Sequence, residues 1–189
     1  SQRTSDYYDQ KFGSPAHLSE MKGFAKILLQ NHILFDIVTE DDLDRLSEYK
    51  TLILPNTSCL SKDAKDKIRC YVNNGGGLIA SYESGLLDER ANPSGEDNLG
   101  NVLGISYLDE PCPFTGFDVY MKMAEGQKLV DEGVINGLVP TGGVQLNVDA
   151  DSARAIANVM GGSTVHYGPL GNDIGSPTVT MHEIEGSGR

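Results

Sequence analysis

The chain has 189 residues, with 15 Lys+Arg against 27 Asp+Glu and a formal net charge of -12. This length suits one domain of roughly 100–200 residues, and 39% hydrophobic with 22% charged residues is ordinary for a soluble globular protein that needs no disulfide or metal staple. The acidic balance argues against nucleic acid and anionic membrane as partners, since both require a basic footprint. In chain order, the first clear element is a helix after Ser14-Pro15. Leu18, Met21, Phe24, Ala25, Leu28 and Leu29 recur there at helical spacing. Ile33 to Val38 is a short apolar run of strand-like composition. Thr39 then reads as the N-cap of a short acidic helix, Asp41 to Leu46. Thr51 to Leu54 is a short buried strand closed by Pro55-Asn56. Ser61 caps a helix from Lys62 to Val72, with Ala64, Ile68 and Val72 on one face. Asn73, Asn74 and Gly75 to Gly77 stop it, and Leu78 to Ala80 makes a third short strand.

Such alternation predicts a parallel sheet with helices on its faces, and strands without polar alternation fit burial on both sides. Ser84 to Gly100 is polar and rich in Asp, Asn, Pro and Gly. It reads as a long loop, of a kind often functional or mobile, with a short helix within Asn98 to Leu103. Further on, Phe117 to Met123 and Val144 to Val148 read as strands. Pro177 to His182 alternates like a strand with one exposed face, and Ala150 to Val159 fits either a short helix or an irregular stretch. No internal repeat is visible, and no apolar run approaches the roughly 20 residues of a membrane helix. The N-terminus lacks a signal-peptide pattern, which says little if the chain is cut from a longer one. Cys59, Cys70 and Cys112 show neither CxxC nor zinc spacing, which leans towards reduced thiols and a cytoplasmic setting.

Several segments carry a resemblance as an ordered set. Phe35-Asp36-Ile37 is followed by the acid-rich Glu40 to Leu43, then Tyr49 to Asn56 ("YKTLILPN"), then Tyr71 to Ala80 ("YVNNGGGLIA"). This order resembles the class I glutamine-amidotransferase-like domain attached to glycoside hydrolases, whose best-known member is the trimerisation domain of microbial β-galactosidases. The match covers the first half of the chain, and the tail "SPTVTMHEIEGSGR" is similar to the group's closing segment. The resemblance implies an α/β, flavodoxin-like three-layer sandwich with a mainly parallel sheet. It implies a non-catalytic accessory domain of a carbohydrate-active enzyme that holds subunits together as a homo-oligomer. It also implies a neighbouring catalytic domain whose active site this domain helps to wall, with Ser84 to Gly100 as the candidate contact. The group begins with a strand running into a turn like Ser1 to Thr4 and ends with a strand after a step like Gly186 to Arg189. The single domain 1–189 is therefore expected to be a piece of a larger chain without its first and last strands.

A working glutamine amidotransferase needs a thiolate on a tight strand-to-helix elbow, with a His and an acid beside it. By order the elbow falls within Ser81, Tyr82, Glu83, Ser84 and Gly85, and no cysteine is there. Glu83 or Tyr82 stands at the thiol's place, depending on register, and neither can take that role. A His and an acid would be sought in His182-Glu183. Ser81, Ser84 and Gly85 read as turn chemistry. The alternative function is an amidotransferase-like enzyme or small-molecule binder using the degenerate elbow around Glu83. A third is a structural module of an unrelated enzyme.

The remaining candidates have plainer readings. Cys59 lies near a helix N-terminus, which lowers a thiol pKa, but fits better as a small semi-buried residue. Cys70 is expected in or near the core, and Cys112, between Pro111 and Pro113, on a surface loop. Gly75 to Gly77 precedes a strand and so is a helix stop rather than a phosphate cradle, and Gly186 and Gly188 suit a hairpin turn. Glu40, Asp41, Asp42 and Asp44 lack calcium-loop spacing and complement a helix dipole. Glu83 with Asp88 or Glu89 could form a glycosidase pair, but the sequence holds no Trp and shows no sugar platform. His17 is expected at the surface and His32 at a helix end, while His166 and His182 fall in strand-like stretches without a third ligand. No cofactor or metal is called for.

Overall fold

The computed structural model describes residues 1–13, 16–108, 120–125, 127, 138–141, 145–162 and 171–184. Two compact units divide it, one built from residues 1–99 with Ile184 and the other from residues 100–183.

The first unit opens with α1 (Gln2–Phe12), a helix where only a turn at Ser1 to Thr4 is expected from the sequence. Ser1 is its N-cap, with the side chain accepting from the Thr4 amide, and Gly13 ends it in the left-handed conformation that glycine adopts freely. α2 (Ala16–Gln30) follows at the predicted place. A 3₁₀ helix (Glu40–Glu48) replaces the predicted acidic helix, with Thr39 at its cap. Asp42 accepts from both the backbone and the hydroxyl of Thr39, and Leu43 and Leu46 are buried. β1 (Thr51–Leu54) and β2 (Gly77–Ala80) are parallel, in register from Thr51 opposite Gly77 to Leu54 opposite Ala80. α3 (Lys62–Asn73) lies between them, capped by the Ser61 hydroxyl, with the predicted face Ala64, Ile68 and Val72 buried. The glycine stop has a steric reason: a Cβ on Gly76 would lie 2.2 Å from the Tyr71 ring.

The second unit contains α4 (Gly100–Leu103), which begins within the predicted helical stretch, and two antiparallel sheets. β3 (Ser106–Tyr107) pairs with β6 (Val148–Asp149). The larger sheet runs β5-β4-β7-β8, from β5 (Leu138–Pro140), β4 (Tyr120–Met123), β7 (Arg154–Met160) and β8 (Asp173–Met181). Ile156, Ala157, Val159 and Met160 bury the inner part of β7.

These sheets overturn the predicted mainly parallel, flavodoxin-like, amidotransferase-like sandwich. Among the described strands β1–β2 is the one parallel pair and every other strand pairing is antiparallel, the isolated Cys59–Leu87 bridge apart, which is parallel. The βαβ rhythm holds from Thr51 to Ala80 and does not extend beyond it among the described residues. Ile33 to Val38 is extended but has no strand partner among the described residues, the Ile33 amide bonding only back to the Leu28 carbonyl of α2, so strand composition there lacks the cross-strand bonds that make a strand. Ala150 to Val159 is neither helical nor irregular in its larger part, since Arg154–Met160 is a central strand. A short apolar run has no period that separates buried strand from helix. Residues 117–119 and Val144 of the other predicted strands lie outside the described residues, as do Cys112, His166, Gly186 and Gly188.

Candidate functional site

The C-terminal ends of β1 and β2 bring the predicted elbow against the turn after β1 and against α1. Ser84 holds the two turns together: its hydroxyl donates to the Leu54 carbonyl at 2.8 Å and accepts from the Thr57 amide at 2.9 Å. The Ser81 hydroxyl accepts from the Asn56 amide at 2.9 Å and donates to the Glu20 carboxylate. Gly85 adds a backbone bond to Thr57 and has φ +74, where a side chain is strained. The turn-chemistry reading of Ser81, Ser84 and Gly85 therefore describes their contacts.

Tyr82 has φ +49, an uncommon conformation for a non-glycine residue, and so stands at the strained point of the turn. Burial pushes its phenol pKa up. Glu83 points the other way, towards α1, where its carboxylate accepts from the Tyr8 hydroxyl at 2.5 Å. The same hydroxyl lies 3.0 Å from Asn56 Oδ1 and 3.1 Å from Ser58 Oγ, forming a polar cluster under α1. Burial, then the bond to Glu83, pushes the Tyr8 phenol far above its ordinary pKa. Sequence reasoning missed Tyr8, because α1 itself was missed.

His17 is buried, not at the surface. Its Nδ1 is 2.8 Å from the Pro55 carbonyl, and burial lowers its pKa. Cys59 is 1% exposed, and burial pushes its thiol up to about 11. Its amide donates to Thr4 Oγ1 at 3.0 Å, so α1 covers it where a reactive thiol at a helix N-terminus would need to be open. Cys70, expected in the core, is exposed on α3. His32 stands exposed just past the end of α2.

The segment from Ser84 to Gly100 is a built loop. Leu87 bridges to Cys59 on one side and Pro93 on the other, and Leu99 is fully buried. α3 clamps it: Lys65, itself buried, donates to Ser94, and Arg69 donates to the carbonyls of Asp97 at 2.9 Å and Asn98 at 2.8 Å. At the tip, Asp88 accepts from the amides of Arg90 at 2.8 Å and Asn92 at 2.9 Å, and these bonds hold its carboxyl below the usual range. Glu89 and Arg90 project from that tip. With Arg3, Tyr7 and Lys11 of α1 they line a groove of about 360 Å³, with Cys59 at its wall.

Several predicted partners do not meet. Asp88 is committed to its own turn and Glu83 to Tyr8, so neither faces the other as a free carboxylate pair. Glu40 accepts from the Ser1 hydroxyl at 2.8 Å, and Asp44 forms an ion pair with Lys67 at 3.0 Å. Among the described residues no group of three or more His, Cys, Asp or Glu is placed to hold a metal. In the second unit, His182 contacts the Val102 carbonyl at 3.0 Å and Ser152 Oγ at 3.1 Å, which ties the end of β8 to α4 and to the bend before β7.

Comparison with known proteins defines the class. The beta-galactosidase trimerisation domain family matches residues 2–185, nearly the whole chain, and the chain belongs to that family. Beta-galactosidase BgaB of Geobacillus sp. (strain Y412MC61) is 31% identical over 97 residues, as is bgaB of Geobacillus kaustophilus. That alignment takes in 50% of this chain, which spans 14% of the length of each relative. Among solved structures, a beta-galactosidase from Bacillus circulans sp. alkalophilus matches with a TM-score of 0.67 and 20% identity, over 88% of this chain and 23% of that one. A second, from Rahnella sp. R3, matches with a TM-score of 0.57 and 25% identity, over 79% of this chain and 20% of that one.

Proposed function

We propose that this chain is the subunit-assembly domain of a larger glycoside hydrolase of the β-galactosidase type, joined to a catalytic domain in the same polypeptide. The observation that carries the reading is the family match across residues 2–185. The small share of each relative that the chain spans supports its being one domain among several. The site chemistry agrees. Tyr82 has the left-handed backbone of the turn, its phenol pKa raised by burial, and Glu83 is engaged by Tyr8. Neither offers the thiolate that acyl transfer from glutamine requires.

The loop tip at Glu89 and Arg90 is the contact we assign to the neighbouring catalytic domain. It is braced from behind by Lys65 and Arg69 and presents two charged side chains outward. Such a tip can wall an adjoining sugar cleft without supplying a catalytic group.

The test is removal of residues 1–189 from the parent enzyme, with the mass of the product read by light scattering. The proposal expects loss of the trimer, and a trimer that survives the deletion overturns it. Incubating the intact protein with glutamine tests the amidotransferase alternative. Ammonia release that depends on Glu83 or Cys59 would favour that alternative. For the loop, Arg90→Glu is expected to change KM for the parent's substrate while the mass stays constant. An unchanged KM removes the loop from the active-site wall.

A further inference from the structure

The groove between α1 and the loop tip has a chemistry that the assembly role does not use. Arg3, Asp6, Tyr7, Gln10 and Lys11 share one face of α1, at the three- and four-residue spacings that a helix brings together. Glu89 and Arg90 of the loop tip complete the lining of a volume of about 360 Å³, with buried Cys59 at its wall. Both elements therefore mix charges of either sign. α1 supplies Arg3 and Lys11 with Asp6, and the tip supplies Arg90 with Glu89. The lining is also oriented from behind. Gln2 donates to Asp6 at 2.7 Å, Lys11 donates to the Tyr7 hydroxyl at 2.8 Å, and Arg3 lies 4.0 Å from Glu40. At the tip, the Asp88 amide donates to the Asn92 carbonyl at 2.8 Å, and Ala91 between them has φ +63. A left-handed alanine persists only where its surroundings impose it, so the tip is held in one shape.

These features select a class of ligand. A net anion would meet Asp6 and Glu89, and a net cation would meet Arg3, Lys11 and Arg90, so like charges oppose both. An apolar ligand would strip water from the charged groups and return no hydrogen bonds. A neutral polyhydroxyl ligand suits the mixture. Each hydroxyl donates to a carboxylate and accepts from a guanidinium or an ammonium, and such charge-assisted bonds are the strong ones. Gln10 adds an amide that does both, and the Tyr7 ring offers apolar surface to the C–H face of a sugar. The volume lies at the lower end of small-molecule sites, the size of a mono- or disaccharide.

We propose that the groove between α1 and the loop tip is a binding site for a neutral mono- or disaccharide. Arg3, Arg90 and Lys11 donate to its hydroxyls, Asp6 and Glu89 accept from them, and Gln10 fixes its orientation. Glu89 and Arg90 are shared with the domain contact proposed above, so the test reads Arg3, on α1, as well.

Arginine labelling of the full-length parent with phenylglyoxal, mapped by peptide mass, tests this. Rising concentrations of galactose or cellobiose are expected to slow labelling of both Arg3 and Arg90 several-fold. Arg45, on the 3₁₀ helix and outside the groove, is expected to label at an unchanged rate. Absence of protection at Arg3 overturns the inference, and so does equal protection of Arg45. Protection by glutamate at lower concentration than by either sugar also overturns it, since an anion would then be the ligand. Gln10→Ala changes an exposed residue of α1 and is expected to raise the half-protecting sugar concentration by up to about tenfold, the worth of one hydrogen bond. An unshifted midpoint contradicts the site. The KM of Arg90→Glu reports the domain contact and the labelling of Arg3 reports the groove, so the two readings fail separately.

Discussion

Gly85→Ala probes the turn on which the site depends. Gly85 has φ +74, and a Cβ there would lie 2.6 Å from both Cγ and Cδ1 of Leu99, a side chain with 0% exposure. Two costs add. A left-handed conformation costs a non-glycine residue about 1–2 kcal/mol. Forcing a methyl group against a packed side chain costs about 1–3 kcal/mol. The sum, about 2–5 kcal/mol, corresponds to a melting point lowered by roughly 4–20 °C in a domain of this size. Urea unfolding followed by tyrosine fluorescence or circular dichroism measures it, the chain having no tryptophan. Gly95→Ala is the control, since Gly95 has φ +56 with open space around it and bears only the conformational cost. The difference between the two variants isolates the clash with Leu99. Equal destabilisation by both would refute the packing argument, and no destabilisation by either would refute the turn geometry.

Other outcomes follow from the same unit. Tyr8→Phe removes a buried hydroxyl that faces Asn56, Ser58 and Glu83, and is expected to destabilise by about 1–3 kcal/mol in the same urea assay. A neutral result would mean that the cluster is solvated. His17 has a folded-state pKa below its ordinary 6.5, so the unfolded state binds its proton first on acidification. Its contribution to stability is therefore complete above 6.5 and is lost as pH falls from there through the folded value. Denaturation at pH 7.5 and pH 5.5 should show a smaller pH difference in His17→Gln than in the native sequence. Under native conditions a maleimide is expected to label Cys70 and to spare Cys59 until unfolding, as peptide mass mapping would show. Rapid labelling of Cys59 would contradict its cover by α1.

Local elements of the first unit were legible because their signals are local. Ser61 announces α3, the glycines after Asn74 end it, and "TLIL" and "GLIA" are the short apolar runs that pair as β1 and β2, although burial on both sides does not hold for β2, where Ile79 is 47% exposed. The order of these segments pointed to the family. The sheet type did not follow, because it depends on which strands meet, and β4, β7 and β8 pair through contacts distant in sequence. Ile33 to Val38 shows the same limit. Its composition is that of a strand, but a strand also needs a neighbour, and residues 1–189 place none beside it among those described. At the site, the absence of a thiol from Ser81 to Gly85 was plain in the sequence. The backbone of the turn was not legible, because it depends on contacts distant in sequence: Tyr82 takes a left-handed angle and Glu83 accepts from Tyr8. His17 was misplaced because a histidine near a helix start looks solvated until the carbonyl of Pro55 is seen against it.

Whether this domain assembles subunits is read from the mass of the intact parent protein in solution. Light scattering coupled to size exclusion is predicted to give three times the subunit mass, falling when residues 1–189 are removed. A parent that runs as a monomer or dimer at working concentration would mean that the domain does not assemble a trimer.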